Sequence, residues 1–334
     1  MLHPSRPTKL VGIVLPLALI LSCSQAGNIS SIRLDESFTK AKVLPQTRYG
    51  LAAVNMGGYI YLIGGSETRK TLSNIDRFDH HAGTLTTLTT SIMPRRYHAA
   101  EAAGDVIYII SGMTPVMTSE GRRLTWTHSV EAYDISTGQV RALSPIPAAR
   151  RYIGSAIHEG KIYVMGGSAS RPREPKMRYF DNVQIYDIAK DRWSRGQRMP
   201  TARECKVVLW EGKIYAAGGY NGQALSAFEV YDIATDTWEV YPDVPFRASA
   251  YSCAVLNGKL YLFGDYLNMK RVAQYDIATG QWTLLRTNFT ASRHTAASVL
   301  DDQIVVIGGN YSSSGAGYRY IQTFTPPPGL EPFR

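Results

Sequence analysis

The chain has 334 residues, 44% of them hydrophobic and 19% charged, with 29 Gly and 17 Pro. That composition excludes a disordered or collagen-like chain. Its 36 Lys and Arg against 27 Asp and Glu leave a formal charge of +9, which points to an anionic partner without locating it.

The amino end reads as a targeting segment. Arg6 and Lys9 precede an apolar stretch from Leu10 to Leu21, too short to cross a bilayer and suited to the core of a signal peptide over residues 1–22. Ile20-Leu21-Ser22-Cys23 resembles a bacterial lipobox, which implies a lipid on Cys23 and an exported, membrane-anchored protein of the cell envelope. Ser24-Gln25-Ala26 before Gly27 also fits ordinary cleavage, so a free periplasmic or secreted form stays open. Residues 23–35 are expected to form a tether. No later run is long and apolar enough to span a membrane. Of the remaining thiols, Cys205 and Cys253 have no metal-ligand spacing. They are either small buried residues on neighbouring strands or a pair in an oxidising compartment.

From residue 45 onward a repeat governs the chain. Apolar strands end in a glycine pair at Gly64-Gly65, Ser111-Gly112, Gly166-Gly167, Gly218-Gly219, Gly264-Asp265 and Gly308-Gly309, in steps of 47, 55, 52, 46 and 44 residues. Before each pair lies an arginine: Arg48, Arg96, Arg150, Arg203, Arg247 and Arg293. After it comes a strand ending in an aromatic residue and aspartate, such as Tyr133-Asp134 or Tyr186-Asp187, and Trp193, Trp238 and Trp282 fall seven residues after their tyrosines. Short β-branched and aromatic runs between Gly-containing turns predict hairpins, and no helical period is present. Paired glycines permit φ > 0, a Tyr and a Trp on adjacent strands can pack across the pair, and the aspartate can close the next turn.

Together these features resemble the kelch repeat, six times over. The resemblance implies an all-β fold, a six-bladed β-propeller of four-stranded blades. The sixth repeat lacks a fourth strand, whereas Phe38 to Pro45 precedes the first and reads as one, so the N-terminal strand is expected to close the ring. The propeller then occupies residues 36–325, with an exposed Pro-rich tail at 326–334. Leu85 and Val140 in place of tryptophan, Ser111 and Asp265 in place of glycine, are its departures.

In such a meander the loops between strands 2 and 3, and the segments leading into each strand 1, share one face. That face carries 19 Lys and Arg and 7 Asp and Glu, the opposite turns 5 and 12, so the sequence predicts a basic face of about +12 and an acidic one of about −7. The long repeat-3 loop (Arg171, Arg173, Lys176, Arg178) and the repeat-2 loop (Arg122, Arg123, Trp126, His128) contribute most. The six repeated arginines are expected to ring the channel mouth, joined by Arg95 and Arg151, with Tyr220, Asn221, Tyr266, Asn310 and Tyr311 adding aromatic platforms and amides. The alternative is that the arginines bond carbonyls within the scaffold. The expected partner is an anionic small molecule, an acidic glycan, or an acidic peptide or protein; a monomer without cofactor, metal or nucleic acid is expected.

Catalytic motifs are scarce. Glu204 and Asp265 are the candidate acid-base carboxyls. Export, blade count and basic face resemble the sialic acid mutarotase family, which implies isomerisation of an acidic sugar as the alternative function. Tyr97-His98, with His294, resembles the dyad of galactose oxidase-like copper enzymes, although no crosslinked cysteine or further domain accompanies it. His80-His81 lack a third ligand. Phosphate-loop, Gly-x-Ser-x-Gly and His-Glu-x-x-His motifs are absent from the sequence.

Overall fold

A computed structural model describes residues 29–68, 70–170, 176–312 and 317–326. The signal peptide and the lipidation site at Cys23, the loop residues Arg171 and Arg173, and the tail from 327 lie outside the described residues. Among those described there is no helix. Six sheets of four antiparallel strands follow one another along the chain, the first strand of each innermost. The sixth is completed by Phe38–Val43, which pairs with Tyr320–Phe324, so the N-terminal strand closes the ring as expected.

The segment expected to be a tether differs. Ser30–Leu34 forms a strand, added in parallel to the outer edge of blade 5 against Gln281–Thr287. Its alternating Ile32 and Leu34 pack against the core, which gives five residues enough apolar contact to stay paired. Asn288 ties this region to blade 6, its amide donating to Phe38 O and its carbonyl accepting from Phe38 N. The amino end thus clasps blades 5 and 6 together.

The core is not central. It consists of wedges between adjacent blades; Ile60, Phe78, Val305 and Ile321, for instance, fill the seam between blades 6 and 1. On the outer strands the predicted aromatic pairs form, with Tyr186–Trp193, Tyr231–Trp238 and Tyr275–Trp282 centroids 5.0, 5.1 and 5.0 Å apart. Phe78 faces Leu85 and Tyr133 faces Val140 in the same register, so the missing tryptophans leave the pairing intact. The following aspartates accept the turn amides, as Asp134 does from Thr137 and Asp187 from Lys190.

The glycine pair is a seam. Gly308 has φ 64°, and a Cβ there would collide with Arg48 O of the next blade. The second glycine donates to that same kind of carbonyl: Gly65 to Arg95 O, Gly112 to Arg150 O, Gly167 to Arg203 O, Gly309 to Arg48 O. Ser111 adopts φ 56° in place of glycine because its hydroxyl bonds Thr127 O and Arg150 O. Asp265 breaks the pattern in blade 5, the blade that receives the extra strand.

Candidate functional site at the channel mouth

The segment leading into each blade has three successive positions with different surroundings. At the first stand Arg48, Arg95, Arg150, Arg203, Ala248 and Ser292. The four arginines are almost fully buried. Arg48 pairs with Asp76 and donates to Gly64 O and Leu62 O; Arg95 pairs with Glu131; Arg203 lies 2.8 Å from Glu229 and donates to Ala216 O. Arg150 bonds the amide oxygens of Gln184 and Asn182 instead. Burial lowers its pKa to about 9, and with no carboxylate in contact the burial is less compensated.

These four therefore do not ring the mouth; they tie strands 2 and 3 of their own blades while their backbone carbonyls hold the preceding blade. This corrects the expectation for Arg48, Arg95, Arg150 and Arg203 as ligand contacts. The expected basic face loses them as well, so the sequence count falls from 19 cations to 15, of which Arg69, Arg171 and Arg173 lie outside the described residues. Blade 5 lacks both halves of the clasp, with Ala248 for the arginine and Ala273 for the acid.

The second position forms the rim: Tyr49, Arg96, Arg151, Glu204, Ser249 and Arg293. Each is joined by backbone bonds to the residue after the glycine pair, for example Arg151 to Ser168, Glu204 to Tyr220 and Arg293 to Asn310. Arg96 donates to Tyr49 Oη and lies over Tyr97, and Arg293 lies 4.3 Å from the Tyr266 ring centroid. Arg151 reaches within 3.6 Å of Glu204, whose carboxylate accepts the Ser168 hydroxyl. Burial pushes the Glu204 carboxyl up to about 7, opposed by Ser168 and by the Arg151 charge.

The third position carries Gly50, Tyr97, Tyr152, Cys205, Ala250 and His294, which surround the axis. Tyr97, Tyr152, Ala250 and His294 take φ of 52–60°, a left-handed backbone that four non-glycine residues adopt because ring-wise hydrogen bonds hold them. Tyr97 N donates to Gly50 O, Tyr152 N to Tyr97 O, and Gly50 N to His294 O. Tyr97 and Tyr152 pack with centroids 4.1 Å apart, and His294 stacks on Tyr152 at 5.4 Å, closing the channel with an aromatic plug. Burial lowers His294 to about 3, so it is a neutral imidazole.

Above the plug opens a cavity of about 270 Å³, walled by Arg151, Glu204, Tyr220 and Tyr266 and floored by Tyr97, Tyr152 and His294. It is polar on one side and aromatic on the other, a combination suited to an extended ligand with one anionic group.

Other expected residues lie elsewhere. Asp265 is sequestered, its oxygens accepting Leu267 N and Asn268 N and pairing with Arg271 at 2.8 Å, which fits a loop staple and not an acid-base group. Arg247 is exposed and reaches Gln223, outside the mouth; Asn221 is also outside it, and Asn310 is buried with its amide on Ser312 O. His98 is fully buried with its ring at Gly64 in the seam with blade 1, outside the mouth, so the copper-like dyad is not assembled. His80 and His81 contact Gln303 and Asp301 at the blade 1–6 seam. Among the described residues no cluster of His, Cys, Asp and Glu suits a metal. Cys205 and Cys253 are both free thiols.

A family model described as the KLHDC2/KLHL20/DRC7 Kelch-repeats domain matches residues 50–265. Kelch-like protein terF of Aspergillus terreus is 27% identical over 65% of this chain and 50% of its own length. Kelch-like protein 38 of Rattus norvegicus is 33% identical over 55% of this chain and 32% of its own, and Kelch-like protein 35 of Mus musculus 25% identical over 83% and 47%. The chain thus spans half or less of the length of these relatives. Since the family match covers more than half of the chain and the blades repeat the seam and clasp just described, the chain belongs to the kelch-repeat family.

Proposed function

We propose that the propeller is a binding module whose mouth receives an acidic segment of a protein partner, one carboxylate lying against Arg151 and Arg96 and the neighbouring chain against Tyr220 and Tyr266. One observation carries this reading: Arg151, free of the buried clasp, stands over an aromatic floor in a cavity of about 270 Å³, with Arg96 beside it on the rim. The kelch family supports a protein-binding role in general. Fluorescence anisotropy with Asp/Glu-rich peptides and their Asn/Gln counterparts tests it. Arg151→Ala should weaken acidic-peptide binding about 10–100-fold, the value of one or two charge-assisted hydrogen bonds, and leave the neutral peptides unaffected. Equal binding of both peptide sets would refute it.

A second reading rests on Glu204. A carboxyl near neutrality beside Arg151 is equipped to move a proton on an acidic sugar held by its carboxylate. NMR exchange between N-acetylneuraminate anomers, compared for wild type and Glu204→Gln, decides it; no acceleration by the wild type ends this reading. We further propose export through residues 1–22 and lipidation at Cys23. Metabolic labelling with an alkyne fatty acid should mark the chain and fail in Cys23→Ser.

A further inference from the structure

Below the aromatic plug lies a second cavity, about 320 Å³, enclosed by the innermost strands and lined by Glu101, Ser155, Ser252 and Ser298 among others. Lys206 belongs to the walls of both cavities. The repeat does not call for a cation there. The matching residues of the other blades are Leu51, an uncharged His98, Ile153, Tyr251 and Thr295, and in a repeat protein a scaffold requirement recurs.

The backbone departs from the repeat at the same point. From the clasp position to the last residue of the first strand, the chain runs Arg48 to Met56, Arg95 to Ala103 and Arg150 to His158, but only Arg203 to Trp210, one residue fewer. The first strand of blade 4 accordingly starts late, at Val208. The ring of backbone hydrogen bonds breaks here too. Cys205 N donates to Tyr152 O and His294 N to Ala250 O, yet Ala250 N makes no bond to Cys205 O. The partition between mouth and channel is therefore interrupted where Lys206 sits.

The lysine is poorly neutralised. Its ammonium makes one long hydrogen bond, 3.4 Å to Ile153 O, and among the described residues it has no ion pair with a carboxylate. Glu101 acts on it from a distance and is occupied by the Ser155 hydroxyl. A desolvated ammonium without a contacting counter-charge is costly, and the cost falls when an anion enters. A phosphate or a short carboxylate fits within the cavity's volume of about 320 Å³. We infer that the channel is a separate binding site for a small oxyanion, held by Lys206 where the repeat is one residue short. This site does not depend on the peptide-binding reading of the mouth.

The test is the melting temperature of the purified chain in sodium phosphate, sodium acetate and sodium chloride at equal ionic strength. Phosphate or acetate should raise it by about 2–5 °C over chloride at saturation. Whichever of the two acts distinguishes a tetrahedral from a planar anion. The rise should vanish in Lys206→Met and persist in Arg151→Ala. At pH 8, one unit above the Glu101 value of about 7, that carboxyl is mostly ionised, and Glu101→Gln, which keeps the lysine and removes the opposing charge, should lower the anion concentration at half-effect by up to about tenfold. The site is overturned if neither oxyanion exceeds chloride, if the rise survives Lys206→Met, if it is lost in Arg151→Ala, or if Glu101→Gln leaves the half-effect concentration unchanged.

Discussion

The buried clasp of blade 4 offers a quantitative test, because the molecule carries its own control. Arg203 and Glu229 have side-chain exposures of 0% and 2% and lie 2.8 Å apart. Arg203→Ala leaves a carboxylate without its cation inside the blade, and Glu229→Ala leaves a guanidinium without its anion. Each should cost about 3–5 kcal/mol, the range for breaking a buried ion pair from one side. Blade 5 holds Ala248 and Ala273 at the equivalent places and folds without either charge. The double variant Arg203→Ala, Glu229→Ala should therefore lose no more than either single variant, its loss reflecting vacated volume alone. The two single losses then exceed the double loss by a coupling of about 3–5 kcal/mol. Urea unfolding of the four proteins, analysed for reversibility and a constant m-value, measures this directly. Losses that add to within about 0.5 kcal/mol would refute the reasoning and reduce both residues to independent packing elements.

Three further outcomes follow from the same geometry. Burial holds both Glu101 and Glu204 at about 7, above the ordinary 4.5, so folding favours their neutral forms. The stability linked to them is complete below about pH 4.5 and is lost as pH rises through 7, by on the order of 2 kcal/mol each between pH 5.5 and 8. Since the buried neutral His98 and His294 titrate with the opposite sign, the urea midpoint of the wild type should fall over that range relative to the Glu101→Gln, Glu204→Gln variant, and parallel curves would contradict the burial argument. Phe38→Ala removes a ring packed on Phe263, Phe289 and Phe324 at the closing seam and should cost about 3–5 kcal/mol by the same assay. Deleting residues 29–35 should lower the melting temperature by several degrees while the propeller still closes, whereas deletion through Val43 should abolish cooperative unfolding, as read by near-UV circular dichroism.

The blade count, the strand pairing and the ring closure were readable because each rests on residues that recur: Tyr186 with Trp193 is confirmed by Tyr231 with Trp238. The site was harder. Arg247 lies one residue before Ala248 and Arg293 one after Ser292, so matching arginines by type alone mixed three positions whose side chains point into the blade, onto the rim and away from the mouth. Aligning on the glycine seam separates them, and would also have shown Arg96, Arg151 and Arg293 as a set with Glu204. The plug was not legible, since Gly50, Tyr97, Tyr152, Cys205, Ala250 and His294 share a backbone role and no chemistry. Ser30–Leu34 escaped notice because its partner strand is remote; the Ser30–Thr283 hydroxyl contact joins residues 253 positions apart, and five residues carry too weak an alternation to reveal it.

That separation has a consequence for biosynthesis. Phe38 emerges early, but the residue that fixes its backbone, Asn288, follows 250 positions later, and its strand partner later still. At 5–20 residues per second the ribosome takes roughly a quarter of a minute to a minute to supply that partner. During this interval blades 1 to 4 can form in succession while an aromatic, unpaired strand remains at the front of the chain. The strand that completes blade 6 is made before all of blades 1 to 5 and seated after them, and the cyclic order of the blades makes the final step one of long-range capture, slow by its topology and open to a chaperone or to pairing with another copy.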